Sequence, residues 1–427
     1  MNNSPDTTRA GTSVPRDPFA RREAVVRSLP KPSVVRTVDP DQLEPTPSPA
    51  KAHLAYGDVI RIVGIAAVVI GHVCSDIVYD LPMKREVPPV STSQWWYALS
   101  IDSFSRFAVP LFVMLSGALL LKRGSSSQTP IDFYKRRLSR IGVPAIFWSL
   151  AFFALVVRHD VMAGQIPENG LRRLASGEPA AHLHFLFRIA GLYLFTPFIR
   201  AFIDAVSRQT VVRTTALCLL IAGLDAMLRP WLRTVVMDGS IGSASGSFAA
   251  MFVPFLGYYL LGHVMSSMRF SRPHQLLMIL ALLASVAGIV LGTGYLHAHF
   301  GYTSPDDLRS TYFLDLLNPL RIVIAFCAFG LVRSWFDHPW PASRFWGFVS
   351  STLAPATLGV YLVHPLFQGV FEKLRLDPRT IGVWVGVPLN ATLVIVASFV
   401  FTLVMMRLPL LNWIVGARIE RKARPAD

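Results

Sequence analysis

Residues 58–76 read DVIRIVGIAAVVIGHVCSD, an apolar run interrupted by Arg61 and His72. Eleven residues at 100° each return to within about 20° of the starting direction, so on a helix the two side chains share a face, roughly 16 Å apart along the axis. A charge held at the centre of a bilayer costs at least about 3 kcal/mol, and such residues face a bundle interior or a water-filled cavity, which makes them functional candidates by default. The pair alone also fits a structural account, in which Arg61 snorkels to the headgroups and His72 satisfies a carbonyl on a neighbouring helix.

The rest of the chain decides where that helix sits. Its 427 residues are 52% hydrophobic and only 16% charged, with a mean hydropathy of +0.45, which points to a polytopic membrane protein. Ten apolar runs are long enough to cross a hydrocarbon core of about 30 Å. They are residues 58–78, 95–121, 141–157, 182–202, 211–228, 247–268, 274–295, 311–335, 349–371 and 381–406. The expected fold is an all-α integral membrane protein with about ten transmembrane helices around a central polar cavity.

The formal charge of +15 lies mostly in the tails and one loop, so the lipid bilayer rather than nucleic acid is its expected partner. Between Lys122 and Arg140 there are six basic residues against Asp132, and five more follow Met406. The positive-inside rule puts both stretches, and the basic N-terminal tail, in the cytoplasm. Residues 1–52 read as a disordered, Pro-rich cytoplasmic tail, 53–410 as the transmembrane domain and 411–427 as a basic cytoplasmic tail. Cys74, Cys218 and Cys327 fall inside spans with neither disulfide nor metal-ligand spacing, and no metal is expected. No internal repeat, phosphate-cradling glycine loop, HExxH or GxSxG occurs.

Entering from the cytoplasm, the first span carries His72 about 21 Å deep, into the outer half of the bilayer. Asp76, one turn later, either holds a ring nitrogen of His72 or faces water. The second span contains Arg106 near the same depth, Pro110, which removes a backbone hydrogen bond and predicts a kink, and Ser116. The segment FYKRRLSRIGVP (133–144) places Lys135, Arg136, Arg137 and Arg140 in a turn-rich cytoplasmic stretch, which serves either as a phosphate site or as a topology signal. His182 and His184 open the fourth span, with Arg188 one turn inside. At i and i+2 these histidines diverge on a helix and make a poor metal pair. Asp315, Asn318 and Arg321 suit a structural clamp as well as a substrate contact. His297 and His299 read as an outer loop with Asp306 and Asp307. His364, in GVYLVHP, also reaches the outer half.

Taken together, RIVGIAAVVIGH, RFAVPLFVMLSGALLL, FYKRRLSRIGVP, HLHFLFRIAGLYLFTPF and GVYLVHP resemble, in order and spacing, the membrane acyltransferase 3 family over about residues 58–367. The RFAVPLFVMLSG and GLYLF wording is nearest to the branch that includes the enterobacterial common antigen O-acetyltransferase. The resemblance implies transfer of an acyl group, commonly acetyl from cytoplasmic acetyl-CoA, to a hydroxyl of a cell-surface glycan or lipid-linked sugar at the other face of a bacterial inner membrane. It departs at His184, where related sequences usually carry an aromatic residue, which bears on acceptor choice. No SGNH-type domain follows the last span, so the membrane domain is expected to act alone or hand its product to a separate protein.

On that reading His72 is the general base, because a neutral imidazole near pH 7 suits removal of a hydroxyl proton. Arg106 is the cation expected beside the reacting carbonyl, and Arg61 belongs to the same machinery. Arg136, Arg137 and Ser116 are expected to bind the acyl-CoA. His182, His184, Arg188, Tyr361 and His364 are expected to bind the acceptor, with His364 the alternative base. A secondary transporter using intramembrane Arg, His and Asp is the rival from another class, and predicts a repeat symmetry that the chain lacks. A sensor or scaffold would not need the five motifs together.

Overall fold

A computed structural model describes residues 55–79, 88–122, 129–162, 181–236, 252–300, 312–337, 343–409 and 411–416. The expected N-terminal tail lies outside the described residues. All the described regular structure is helical, and among the described residues nine stretches are long and apolar enough to cross a membrane. The expectation of an all-α membrane protein therefore holds.

The helices are α1 (Ala55–Val78), α2 (Thr92–Ser105), α3 (Ala108–Leu120), α4 (Pro130–Arg137), α5 (Val143–Met162), α6 (His184–Ala205) and α7 (Arg208–Val236). They continue as α8 (Leu256–Ser266), α9 (Arg272–Phe300), α10 (Pro319–Trp335), α11 (Arg344–Phe348), α12 (Ala354–Lys373), α13 (Pro378–Ile381) and α14 (Val383–Arg407). The sixth apolar run differs from expectation. Its described part is a 3-10 turn at Val253–Phe255 and the 11-residue α8.

The axis of the bundle is α1, which packs against α2, α3, α10, α12 and α14. Gly57, Gly64 and Gly71 recur every seven residues along it and so form one stripe. A Cβ at Gly64 would lie 2.8 Å from the Phe112 ring and one at Gly71 would lie 2.7 Å from Ser105 Oγ. Small residues on that stripe let the second span lie flush against the first, which is how helices gain packing contacts without a hydrophobic driving force in lipid.

A closer crossing joins α3 to α8. A Cβ built on Gly117 would stand 1.8 Å from the carbonyl oxygen of Tyr259, and one on Gly262 would stand 1.8 Å from that of Met114. The two backbones touch through reciprocal glycines, which fixes the short α8 inside the bundle although it is too short to span the membrane alone.

The kink expected in the second span is a break. Helix α2 ends with Arg106 as its C-cap, and α3 begins at Ala108. Pro110 falls in the first turn of α3, where its missing N–H removes nothing the helix needs. The break leaves Arg106 at a bend in mid-span.

Two segments differ in local structure from their sequence reading. FYKRRLSRIGVP is helical rather than turn-rich. Thr129 caps α4 by accepting from Asp132 N–H, and a π-helical turn at Leu138–Gly142 carries the chain into α5. Pro144 ends that turn, since it has no N–H to continue the five-residue pattern to the carbonyl of Ser139. His297 and His299 lie in the last turn of α9 rather than in a loop, with His297 stacked on Trp95. Asp306 and Asp307 lie outside the described residues. At the other end of the chain, residues 411–416 pack on the bundle, where Trp148 Nε1 donates to the carbonyl of Ile414 at 2.9 Å and Val415 is buried.

Candidate active site

The site begins at a proline. Pro365, inside α12, cannot donate to the carbonyl of Tyr361 one turn back. That carbonyl is instead met by His364 Nδ1 at 2.8 Å. A carbonyl can only accept, so Nδ1 of neutral His364 carries the proton and its Nε2 presents a lone pair.

His72 meets that lone pair. Its Nδ1 lies 2.7 Å from His364 Nε2, and the two ring planes are within 19° of each other with centroids 4.9 Å apart. With His364 Nε2 accepting, His72 Nδ1 must donate, which leaves His72 Nε2 as the unprotonated nitrogen. The chain from Tyr361 carbonyl through His364 to His72 thus fixes both tautomers. The same relay of orientation, with an acceptor behind a histidine base, holds the imidazole of hydrolytic triads in its working form. His364 is fully buried, whereas His72 is partly exposed and lines a cavity.

That cavity has a volume of about 470 Å³ and its wall includes His72, Asp76, Arg106, His182, His184 and Arg188. Asp76 is not the partner of the His72 ring. It accepts from Gln368 Nε2 at 3.2 Å, and the same amide nitrogen is 3.3 Å from the His72 carbonyl. Arg106 is anchored by Nε to Asp102 at 2.6 Å, by Nη2 to the Tyr79 hydroxyl at 2.6 Å and by Nη1 to the Leu314 carbonyl at 3.5 Å. Guanidinium has five N–H groups, so three of them hold Arg106 in place and two remain for a ligand. The sequence reading does not single out Asp102 or Tyr79, although Asp102 stands one helical turn before Arg106 and that spacing favours an ion pair.

A second cavity, of about 310 Å³, lies against the end of α1 that carries Arg61. Its wall includes Arg61, Ser116, Arg137, Arg140 and Tyr193, with Leu115 and Leu119 among the apolar members. Arg61 pairs with the buried Asp58 at 3.0 Å. Arg137 rests over the rings of Phe133 and Tyr193, and Ser116 Oγ is 3.2 Å from the Tyr193 hydroxyl. Arg136 is exposed and does not belong to the wall; Arg140, from the same basic run, does.

Arg61 and His72 therefore share a helix but serve different cavities. His182, His184, Arg188 and Tyr361 gather at the His72 cavity, and His364 stands behind the base. The group Asp315, Asn318 and Arg321 builds the entry to α10. Asp315 accepts from Leu317 N–H, Asn318 caps Leu320 N–H, and Arg321 Nε donates to the Phe313 carbonyl. Among the described residues no group of three or more His, Cys, Asp or Glu is arranged to hold a metal ion.

Fold and site together define a polytopic membrane protein with a paired-histidine polar cavity and a cationic cavity on one central helix. A family model described as an acyltransferase domain matches residues 54–407, and the chain belongs to that family, the membrane acyltransferase 3 family. The protein is thus a membrane acyltransferase. No curated protein and no solved structure matches the chain.

Proposed function

We propose that the protein transfers an acyl group, most simply acetyl, from acyl-CoA to a hydroxyl of a cell-surface glycan or lipid-linked sugar. The observation that carries the proposal is the His72–His364 pair, whose hydrogen bonds leave His72 Nε2 as a bare nitrogen on a roomy polar cavity. A sugar hydroxyl is a weak nucleophile until a base removes its proton in the transition state. His72 Nε2 takes that proton as the hydroxyl oxygen bonds to the acyl carbon. The carbon–sulfur bond breaks, and the proton passes from His72 to the departing thiolate. The products are the ester and free CoA.

The charge that forms on His72 is met by Nδ1–H donating to His364. Charge developing on the acyl oxygen needs donors held in place before the reaction. The two remaining N–H groups of Arg106 suit that role, because Asp102 and Tyr79 hold the guanidinium still. His182, His184 and Arg188 offer polar contacts to an acceptor hydroxyl in the same cavity.

The donor reading rests on the Arg61 cavity. Arg137 and Arg140 suit the phosphates of CoA, since guanidinium pairs phosphate oxygens bidentately. The leucine-lined interior suits the slender acyl–pantetheine arm. The basic bias of residues 122–140 and of both tails favours cytoplasmic termini in a bacterial inner membrane, and hence a donor cavity that opens inward. Nothing in the geometry favours the transporter reading.

Removing both cations by Arg137→Ala/Arg140→Ala is expected to raise the apparent KM for acetyl-CoA about tenfold or more, since charged hydrogen bonds contribute about 1.5–3 kcal/mol each. The KM for acceptor should move little. Steady-state rates with donor and acceptor varied in turn make the test. An unchanged donor KM would reduce the basic run to a topology signal.

A further inference from the structure

The two cavities share two wall residues, Phe185 and Tyr361. The partition is a collar of three rings from three helices. Phe185 on α6 lies 5.7 Å from Tyr361 on α12 and 6.0 Å from Phe112 on α3, centroid to centroid. At those spacings Phe185 is in contact with both neighbouring rings.

The three rings are not equally held. Tyr361 is buried and its hydroxyl donates to the carbonyl of His182. The ring of Phe112 is wedged against Gly64 of α1, where even a Cβ would lie 2.8 Å from Cζ. Phe185 has no polar anchor, is only partly buried and sits in the first turn of α6. It is the ring whose side-chain rotation opens the collar at least cost.

The cations suited to the donor line one cavity and the base lines the other, so under the acyl-transfer reading the thioester must pass the collar to reach His72. Resting on that reading, we infer that Phe185 is a specificity-determining gate, and that the gap its rotation opens between Tyr361 and Phe112 restricts transfer to short acyl chains. An aromatic ring moved aside clears a passage about as wide as itself and no longer than the collar is thick. The acyl chain enters ahead of the sulfur, so a two-carbon group clears the gap at once, whereas an eight-carbon chain must thread it and then share the cavity of about 470 Å³ with the acceptor.

The test uses the purified full-length protein with acetyl-, butyryl- and octanoyl-CoA, a membrane extract of the source cells as acceptor, and free thiol as the readout. Phe185→Ala is expected to raise the octanoyl-to-acetyl ratio of kcat/KM at least tenfold. Phe185→Trp, which narrows the gap, is expected to lower the butyryl-to-acetyl ratio. Phe185→Leu, closer in volume to the native residue, keeps the test open should the alanine variant fail to fold, and its ratio should move in the same direction as alanine. Ratios equal to wild type in all folded variants would overturn the gate alone. A wild-type protein that releases no thiol from any of the three donors would overturn the acyl-transfer reading and the gate with it.

Discussion

Replacing His72 by alanine is expected to lower turnover by about 10²- to 10⁴-fold, the usual contribution of a positioned general base. Insertion and thermal stability should change little, because the ring is partly exposed on a cavity rather than packed in a core. His364 should behave differently. It positions the base through Nε2 and is fully buried. His364→Leu removes the acceptor for His72 Nδ1–H and frees the base to adopt the wrong tautomer. His364→Gln restores an acceptor oxygen near the same point and should recover turnover relative to His364→Leu. A purely structural role for His364 would show no such recovery. The comparison is made at matched membrane expression with labelled acetyl-CoA. Near-normal transfer by His72→Ala would remove it as the base, and an inactive His364→Leu in the same assay would move the assignment there.

The second large effect is structural. Gly262→Val is expected to abolish the folded state, because its Cβ would stand 1.8 Å from the Met114 carbonyl oxygen. Overpacking costs about 1–3 kcal/mol where side chains can yield. Here the obstacle is backbone, and the reciprocal Gly117 contact on Tyr259 allows no shift along the pair. Gly117→Val should fail in the same way. The control is Gly369→Ala, where an added Cβ meets nothing within 4 Å. Size-exclusion profiles and melting temperatures in detergent make the measurement. A monodisperse Gly262→Val protein melting near the wild-type temperature would show that α3 and α8 do not cross so closely.

The spans are legible in the sequence because a hydrocarbon core demands long apolar helices, and that demand is written residue by residue. Residues 252–268 mislead for the same reason: a buried α8 is as apolar as a spanning helix while being only 11 residues long. The break at Arg106 is readable from Pro110, since a proline is best tolerated in the first turn of a helix and so marks where one starts. The basic run shows its composition but not its conformation. Lys and Arg are good helix formers, and their phase along a helix, not their number, decides that Arg137 and Arg140 face the cavity and Arg136 does not.

The His72–His364 hydrogen bond joins residues 292 positions apart, and nothing local announces it. The sequence holds half of the signal, in the dipeptide His364–Pro365. A proline inside an apolar helix frees the carbonyl four residues earlier, and the adjacent histidine is placed to claim it. Asp76, one turn from His72, is the nearer candidate partner, but its carboxylate is taken by Gln368. Phe185 carries no signal, since one aromatic residue among many in a transmembrane helix looks like lipid-facing surface until its neighbours from α3 and α12 are known.

The proposed chemistry makes an ester at the expense of a thioester, and both products can be counted in one experiment. The purified protein in liposomes is incubated with acetyl-CoA labelled in the acetyl group and a membrane extract as acceptor, and free CoA thiol is measured beside base-labile label in the acceptor fraction. The two should appear in equal amounts, and both should vanish in the His72→Ala protein. Label that crosses the liposome membrane without release of thiol, or thiol released equally by the variant, would contradict the mechanism.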